Sequence, residues 1–172
     1  RLPSAKSVVH LIWEKAKGFI QKAFTIIFAA SIVIWFLQTF DARFNVVSMP
    51  ESSLLAALGS IFAPLFAPLG FADWRLSTAL ITGFTAKESV VSTLTLLLGG
   101  EVSSIGTLFT PFTAVVFLVF VLLYTPCVAA IATVKREMGS TRAAITTALT
   151  QCVIAWLIAF AVRCVGLAFG LA

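Results

Sequence analysis

Long apolar stretches separated by short polar segments dominate this chain. The apolar stretches cover residues 23–40, 54–71, 76–98, 112–134 and 143–169. A helix that crosses a membrane needs about 20 mostly apolar residues. The pattern therefore predicts an all-α fold, a polytopic helical membrane protein with about four to five spans.

Prolines interrupt two of these stretches. The tetrad Phe-Ala-Pro-Leu occurs at 62–65 and again at 66–69, and Pro126 lies within 112–134. Proline removes a backbone donor and clashes with the carbonyl four residues earlier, and lipid cannot satisfy a carbonyl that is freed in this way. We therefore expect proline-broken helices, and residues 54–71 either cross the membrane in a kinked form or enter it and return.

Basic residues indicate how the chain is oriented. Residues 1–22 have helical spacing of apolar positions and predict an amphipathic lead-in helix on the cytoplasmic face, while residues 23–172 form the transmembrane part. The segment 135–142 is also basic, whereas 99–111 has no lysine or arginine. The positive-inside rule places residues 1–22 and 135–142 in the cytoplasm and residues 99–111 outside. This arrangement requires that 54–71 effectively crosses the membrane.

The composition excludes other classes of protein. Of 172 residues, 60% are hydrophobic and 11% are charged, less than half the roughly 25% of charged residues in a soluble domain. The net charge is +5. The basic residues cluster beside apolar stretches, which favours membrane anchoring over nucleic-acid binding. The three cysteines lie inside apolar stretches and do not form a disulfide framework.

Glu88 is the most informative residue, because it lies in the middle of the stretch 76–98. An acid at mid-span costs about 2.5–3.5 kcal/mol on insertion scales, and such residues usually face a cavity or a partner. On a continuous helix, Thr85, Glu88, Ser92 and Thr95 share one face. This stripe predicts a hydrated path or a set of oxygen ligands for a cation; the alternative is a buried carboxyl that is neutral or paired with another helix.

The segment Tyr124-Thr125-Pro126-Cys127 is the second candidate. Pro126 leaves the carbonyl of Leu122 without its helical donor, and transporters use such breaks as binding sites. A sulfur ligand beside oxygens suits a borderline divalent metal. We therefore predict Cys127 and Glu88 as metal ligands in transit, with Thr125 and Pro126 lining the pathway; the alternative is a proline kink beside a small buried cysteine.

Other polar groups in the apolar stretches have simpler interpretations. Lys87 points about 100° away from Glu88 on a helix and is expected to have a structural or charge-balancing role. Arg163 is expected to extend its charge to the membrane surface. Cys152 and Cys164 are expected to be packing residues, and Ser140 and Thr141 are expected to cap the last helix.

Four runs of sequence, taken together, resemble a known family. They are RLPSAKSVVHLIWEKAKGFIQKAFTIIFAASIVIWFLQTFD, FAPLGFADWR, TGFTAKESVVSTL and LYTPCVAAIATVKREMGS. In this order and spacing they are similar to the C-terminal membrane part of FeoB-type ferrous iron transporters. The resemblance covers essentially the whole chain and includes the second of two Gate regions, in which Cys127 corresponds to the cysteine and Glu88 lies in the matching Ala-Lys-Glu run.

The resemblance implies a function and partners. The chain would be the membrane-permease portion of a GTP-dependent Fe²⁺ uptake transporter of the bacterial inner membrane, with a cytoplasmic N-terminal end. GTP and Mg²⁺ would bind a domain in an N-terminal half that also holds the first Gate region and that we expect outside this chain. Small accessory Feo proteins and a homo-oligomer are further partners that the resemblance admits. For this chain itself it implies no cofactor and no catalytic residue.

Two other functions are consistent with the sequence. The polar residues could instead specify helix packing in a structural or assembly module. A Gate-type region could also transport another solute, such as a nucleoside. An enzyme is disfavoured, because the chain shows no nucleophile–base set and no GxxxxGK[ST] phosphate loop.

Overall fold

The all-α prediction is confirmed by the computed structural model, which describes residues 4–125 and 127–170. Its α-helices are α1 (Ala5–Thr39), α2 (Leu54–Phe66), α3 (Trp74–Gly83), α4 (Ser89–Leu97), α5 (Pro111–Leu123), α6 (Val128–Met138) and α7 (Thr141–Ala168). Short 3₁₀-helices occupy Pro50–Ser52, Ala67–Leu69 and Val102–Leu108. In this part of the chain the only β-pairing is an isolated bridge between Phe40 and Val46.

Polar side chains begin most of the helices. Each of five residues accepts a hydrogen bond from a backbone N–H two or three positions later: Ser4, Ser53, Asp73, Thr110 and Ser140. Such caps satisfy N–H groups that have no partner within the helix, and each contributes about 1 kcal/mol. The predicted capping role is therefore confirmed for Ser140, whereas Thr141 is the first residue of α7 and not its cap.

Several helical stretches are long and apolar enough to cross a membrane. Among the described residues two stretches are long and apolar enough, Pro111–Met138 and α7, and the bent pair formed by Leu54–Leu69 and α3 is a third candidate. The apolar half of α1, Phe24–Thr39, is shorter, and α1 continues without a break across the predicted boundary at residue 22. These two or three candidates agree with the prediction of a polytopic helical membrane protein with broken helices.

The bend between α2 and α3 brings these two helices face to face. Their axes differ by 104°, and the turn between them includes Gly70, whose φ of +93° favours glycine. Gly59 on α2 packs directly on α3, because a Cβ at this position would lie 2.8 Å from the Trp74 carbonyl oxygen and closer still to the Thr78 hydroxyl. Small residues permit this close approach of two backbones in a membrane.

Two side chains of α7 satisfy carbonyls at the repeated Phe-Ala-Pro-Leu tetrad. The indole Nε1 of Trp156 donates to the Leu65 carbonyl at 3.0 Å, and Nη1 of Arg163 donates to the Ala67 carbonyl at 3.0 Å. Arg163 thus has a defined backbone partner, and the expectation that its charge extends to the membrane surface stays a prediction. The Ala67 carbonyl also accepts a hydrogen bond from the Gly70 N–H at 3.0 Å, so the guanidinium is its second donor.

We expect Trp156→Phe to lower the free energy of unfolding by about 1–2 kcal/mol, because the Leu65 carbonyl would lose its donor. Phenylalanine can keep the stacking contact that Trp156 makes with Phe160, at 5.3 Å between ring centroids. Thermal unfolding in detergent measures the change. An unfolding midpoint equal to that of the unsubstituted protein would contradict this role of the indole.

Aromatic rings fix α5 against the proline-rich turn. Phe66 meets Phe120 and Phe71 meets Phe117, both edge to face, at 5.3 and 5.2 Å between centroids. All four side chains are buried, and such pairs add about 0.5–1.5 kcal/mol beyond the area they bury. This packing sets the position of the C-terminal end of α5, where the candidate site lies.

Candidate functional site

A first helix break separates α3 from α4. The prediction of one helix over 76–98 is wrong here, because α3 ends at Gly83 and α4 begins at Ser89. We call residues 84–88 the first break. The carbonyl of Phe84 accepts a hydrogen bond from the N–H of Val128 at 2.9 Å, so a contact 44 positions along the chain replaces the bond that a continuous helix would make.

A second helix break separates α5 from α6, as the proline predicted. We call residues 124–127 the second break; Tyr124 is in an extended conformation with a ψ of 170°. The predicted pathway residue Pro126 lies outside the described residues. Val128, which bonds to Phe84, begins α6 directly after the second break, so the two breaks face each other.

Lys87 joins the two breaks through backbone oxygens. Its Nζ donates to the carbonyls of Val121, Leu122 and Tyr124 at 3.1, 3.2 and 3.1 Å, and it lies 4.9 Å from the centroid of the Tyr124 ring. The carbonyl of Leu122, which the sequence predicts to be free, is among its acceptors. A cation is favoured at this position because carbonyls at the C-terminal end of a helix carry partial negative charge. This contact agrees with the structural role expected for Lys87.

Gly83 allows the second break to approach α3. A Cβ at Gly83 would lie 2.6 Å from the hydroxyl oxygen of Tyr124, and that hydroxyl donates to the Leu80 carbonyl at 3.5 Å. Tyr124 is buried. Because position 83 has no side chain, the ring of Tyr124 can pack against the C-terminal end of α3.

The predicted polar stripe is not a stripe on one helix. Because of the first break, Thr85 and Glu88 precede α4, and only Ser92 and Thr95 lie on it. The three hydroxyls each donate to a carbonyl three or four residues earlier. The carboxylate of Glu88 is exposed and has no hydrogen bond or ion pair with any residue that the structure describes.

Cys127 and Thr125 lie at the second break in different surroundings. Cys127 is half-buried at the N-terminal end of α6. Thr125 is only 4% exposed, and its hydroxyl has no partner among the described residues. Across residues 4–125 and 127–170, no three His, Cys, Asp or Glu side chains converge as a metal site would require, so neither Cys127 nor Glu88 belongs to such a group.

A cavity of about 810 Å³ opens beside the second break. It lies between α2, α3, α5, α6 and α7, and its surface is almost entirely carbon. Among the predicted site residues that the structure describes, it includes Thr125 but neither Cys127 nor Glu88. Cys152, which the sequence suggested as a packing residue, also lines it.

Sequence reasoning missed the polar contact that holds α3 to α4. The hydroxyls of Thr82 and Thr93 are 2.9 Å apart and both residues are buried. These threonines lie eleven positions apart, which matches three turns of one continuous helix, so the sequence shows no signal that they meet across a turn. For Lys87 a signal existed, because it is a lysine in an apolar stretch, but its three acceptors follow only from the fold.

Comparison with known proteins gives a consistent set of relatives. The Gate family model, described as "Nucleoside recognition", matches residues 20–141. A protein of Staphylococcus aureus (strain COL) named "Fe(2+) transporter FeoB" is 41% identical over 144 residues, which is 81% of this chain and 22% of the relative. A Methanocaldococcus jannaschii protein of the same name is 34% identical over 176 residues, which is 96% of this chain and 26% of that protein.

A third relative has a composite name. It is the "Fe(2+) transport protein A/Fe(2+) transporter FeoB fusion protein" of Porphyromonas gingivalis, which is 28% identical over 221 residues, 98% of this chain and 26% of the relative. The chain thus spans about a quarter of the length of these curated relatives. No solved structure matches the chain at a comparable level of significance.

Proposed function

Since this chain belongs to the Gate family and forms a FeoB-type membrane part, we propose that it is the membrane portion of an Fe²⁺ transporter. The observation that carries the proposal is the contact between the two helix breaks. There the Val128 N–H meets the Phe84 carbonyl, and carbonyl oxygens meet the Lys87 ammonium. Irregular backbone at membrane depth is tolerated where it lines a cavity or is buried in protein, and transporters place ion sites at such breaks.

The ligands for Fe²⁺ would come from both breaks. Cys127 directly precedes Val128 and Glu88 directly follows Lys87, so the contacts of Val128 and Lys87 bring the two segments together. A thiolate with oxygen ligands suits a borderline divalent ion. The exposed Glu88 carboxylate would attract the cation, and Cys127 would bind it in transit. Thr125, Thr85, Ser92 and Thr95 would line the pathway.

Coupling to GTP belongs to another part of the transporter. We place GTP and Mg²⁺ in an N-terminal half with its own Gate region, which would be the main partner of this chain, and we assign no catalytic residue to the chain itself. The location is the bacterial inner membrane, with the N-terminal end of α1 in the cytoplasm. Small accessory Feo proteins and a second copy of the transporter complete the set of partners.

A nucleoside is the main alternative cargo, since the Gate family carries that description. The cavity argues against it. A nucleoside has several hydroxyl and base groups, and each one buried without a hydrogen bond costs about 1–3 kcal/mol. The cavity surface is almost entirely carbon and offers few polar atoms besides the Ser77, Tyr124 and Thr125 hydroxyls.

We expect the complete transporter to take up radiolabelled Fe²⁺ into proteoliposomes under reducing conditions, in excess of liposomes without protein. Unlabelled Fe²⁺ should compete, and a hundredfold excess of uridine should not, because the site offers charge and sulfur rather than paired hydrogen-bonding groups. Competition by Mn²⁺ and Zn²⁺ then measures selectivity. Inhibition by uridine would favour the nucleoside alternative, and an assembled complex without any Fe²⁺ uptake would favour a structural module.

A further inference from the structure

Beyond the cargo and its ligands, we infer that the carbonyl oxygens of Val121, Leu122 and Tyr124 form a cation-binding site. We call these three oxygens the carbonyl cup. The Lys87 ammonium is the built-in occupant of this cup, and a free cation competes with it for the same oxygens. The inference concerns any small cation and does not require that Fe²⁺ is the cargo.

The geometry of the cup is that of a cation site. The three oxygens surround a single nitrogen at 3.1, 3.2 and 3.1 Å. An ammonium group has three N–H donors, so the cup satisfies all of them. The Tyr124 ring, whose centroid is 4.9 Å from the nitrogen, adds the attraction of an aromatic face for a cation.

The helix break explains why the cup is available. Pro126 has no N–H, so the carbonyl of Leu122 cannot have its usual helical partner. The three oxygens lie at or just beyond the C-terminal end of α5, where the partial negative charge of a helix is concentrated. Carbonyls at unwound segments and at the C-terminal ends of half-helices bind cations in transporters.

The tether gives the cup a conformational consequence. Lys87 belongs to the first break and the cup to the second, so the ammonium holds the breaks together alongside the bond from Val128 to Phe84. The hydrogen bond to the Leu122 oxygen is exposed, whereas those to the Val121 and Tyr124 oxygens are half-buried. A cation that took the oxygens would release Lys87 and leave the breaks joined by fewer contacts.

Amide hydrogen exchange in the complete transporter, held in lipid nanodiscs, tests this inference without a transport assay. In Lys87→Ala, the amides of Tyr124, Thr125, Cys127 and Val128 should exchange about tenfold faster, because opening of the break becomes easier. Ethylammonium should bind to the vacated cup of Lys87→Ala in a calorimetric titration, and ethanol at the same concentration should not. Lys135→Ala, which removes an exposed lysine of α6, is the matched control and should exchange as the unsubstituted protein does.

The unsubstituted protein provides a second test that needs no variant. Mn²⁺, which prefers oxygen ligands, should raise exchange at the same amides by displacing Lys87, and it should still do so in Cys127→Ser, because the cup contains no sulfur. Unchanged exchange in folded Lys87→Ala, or equal binding of ethanol to that variant, would overturn the cation cup. Absence of any Mn²⁺ effect on amide exchange would overturn the competition between Lys87 and a free cation. If Lys87→Ala does not fold, the Mn²⁺ experiment on the unsubstituted protein is the deciding test. None of these results depends on whether Fe²⁺ is transported.

Discussion

Replacing Cys127 by serine should lower Fe²⁺ uptake by the complete transporter at least about tenfold. A thiolate is a soft ligand, whereas the serine hydroxyl stays protonated and is a poor ligand for Fe²⁺. A tenfold effect corresponds to about 1.4 kcal/mol, which is only part of the free energy of one metal–sulfur bond. The measurement is the initial rate of radiolabelled Fe²⁺ uptake in proteoliposomes with equal amounts of protein.

Cys164→Ser is the matched control for this substitution. Cys164 is exposed near the end of α7, away from the second break in the sequence, so the same exchange of sulfur for oxygen should leave uptake unchanged. Serine and cysteine differ little in size, and Cys127 is only half-buried, so folding should be retained in both variants. Equal uptake by Cys127→Ser and Cys164→Ser would remove Cys127 from the pathway.

Gly59→Ala should lower the free energy of unfolding by about 2–3 kcal/mol, at the upper end of what overpacking costs. The added methyl would meet the Trp74 carbonyl oxygen at 2.8 Å and the Thr78 backbone nitrogen at 3.1 Å. Backbone atoms cannot move aside as a flexible side chain can, so α2 and α3 would have to separate. Unfolding by heat or by SDS in mixed micelles measures the loss.

Gly18→Ala is the control for this prediction. Gly18 lies within the helix α1, and a Cβ there would meet no atom within 4 Å. The same substitution should therefore be neutral or stabilise the protein by about 0.5–1 kcal/mol, because alanine favours a helix over glycine. If Gly59→Ala and Gly18→Ala unfolded alike, the close contact of α2 with α3 would be refuted.

Local physics made much of this fold predictable. Pro126 locates the second break because it cannot donate a helical hydrogen bond, and the uninterrupted apolar stretch 143–169 becomes α7. Ser140 caps that helix with its own hydroxyl. Each of these features depends on residues within a few positions of one another, so the sequence contains the whole cause.

The first break could not be predicted in the same way. The stretch 76–98 has the composition of a continuous helix, and it breaks because its groups bond elsewhere: the Phe84 carbonyl to Val128, and the Lys87 ammonium to the end of α5. The partner of Arg163 could not be predicted for the same reason, since its acceptor, the Ala67 carbonyl, is 96 positions away.

By itself the sequence determined an all-α membrane protein of the FeoB type, with one helix broken at Pro126 and with Cys127 and Glu88 as candidate ligands. Only the tertiary structure decided that the first break, at residues 84–88, exists and faces the second break, and that Lys87 fills the carbonyl cup. The physical reason is that a buried carbonyl must find a donor wherever the fold brings one. In this protein that donor lies more than thirty positions away in the chain.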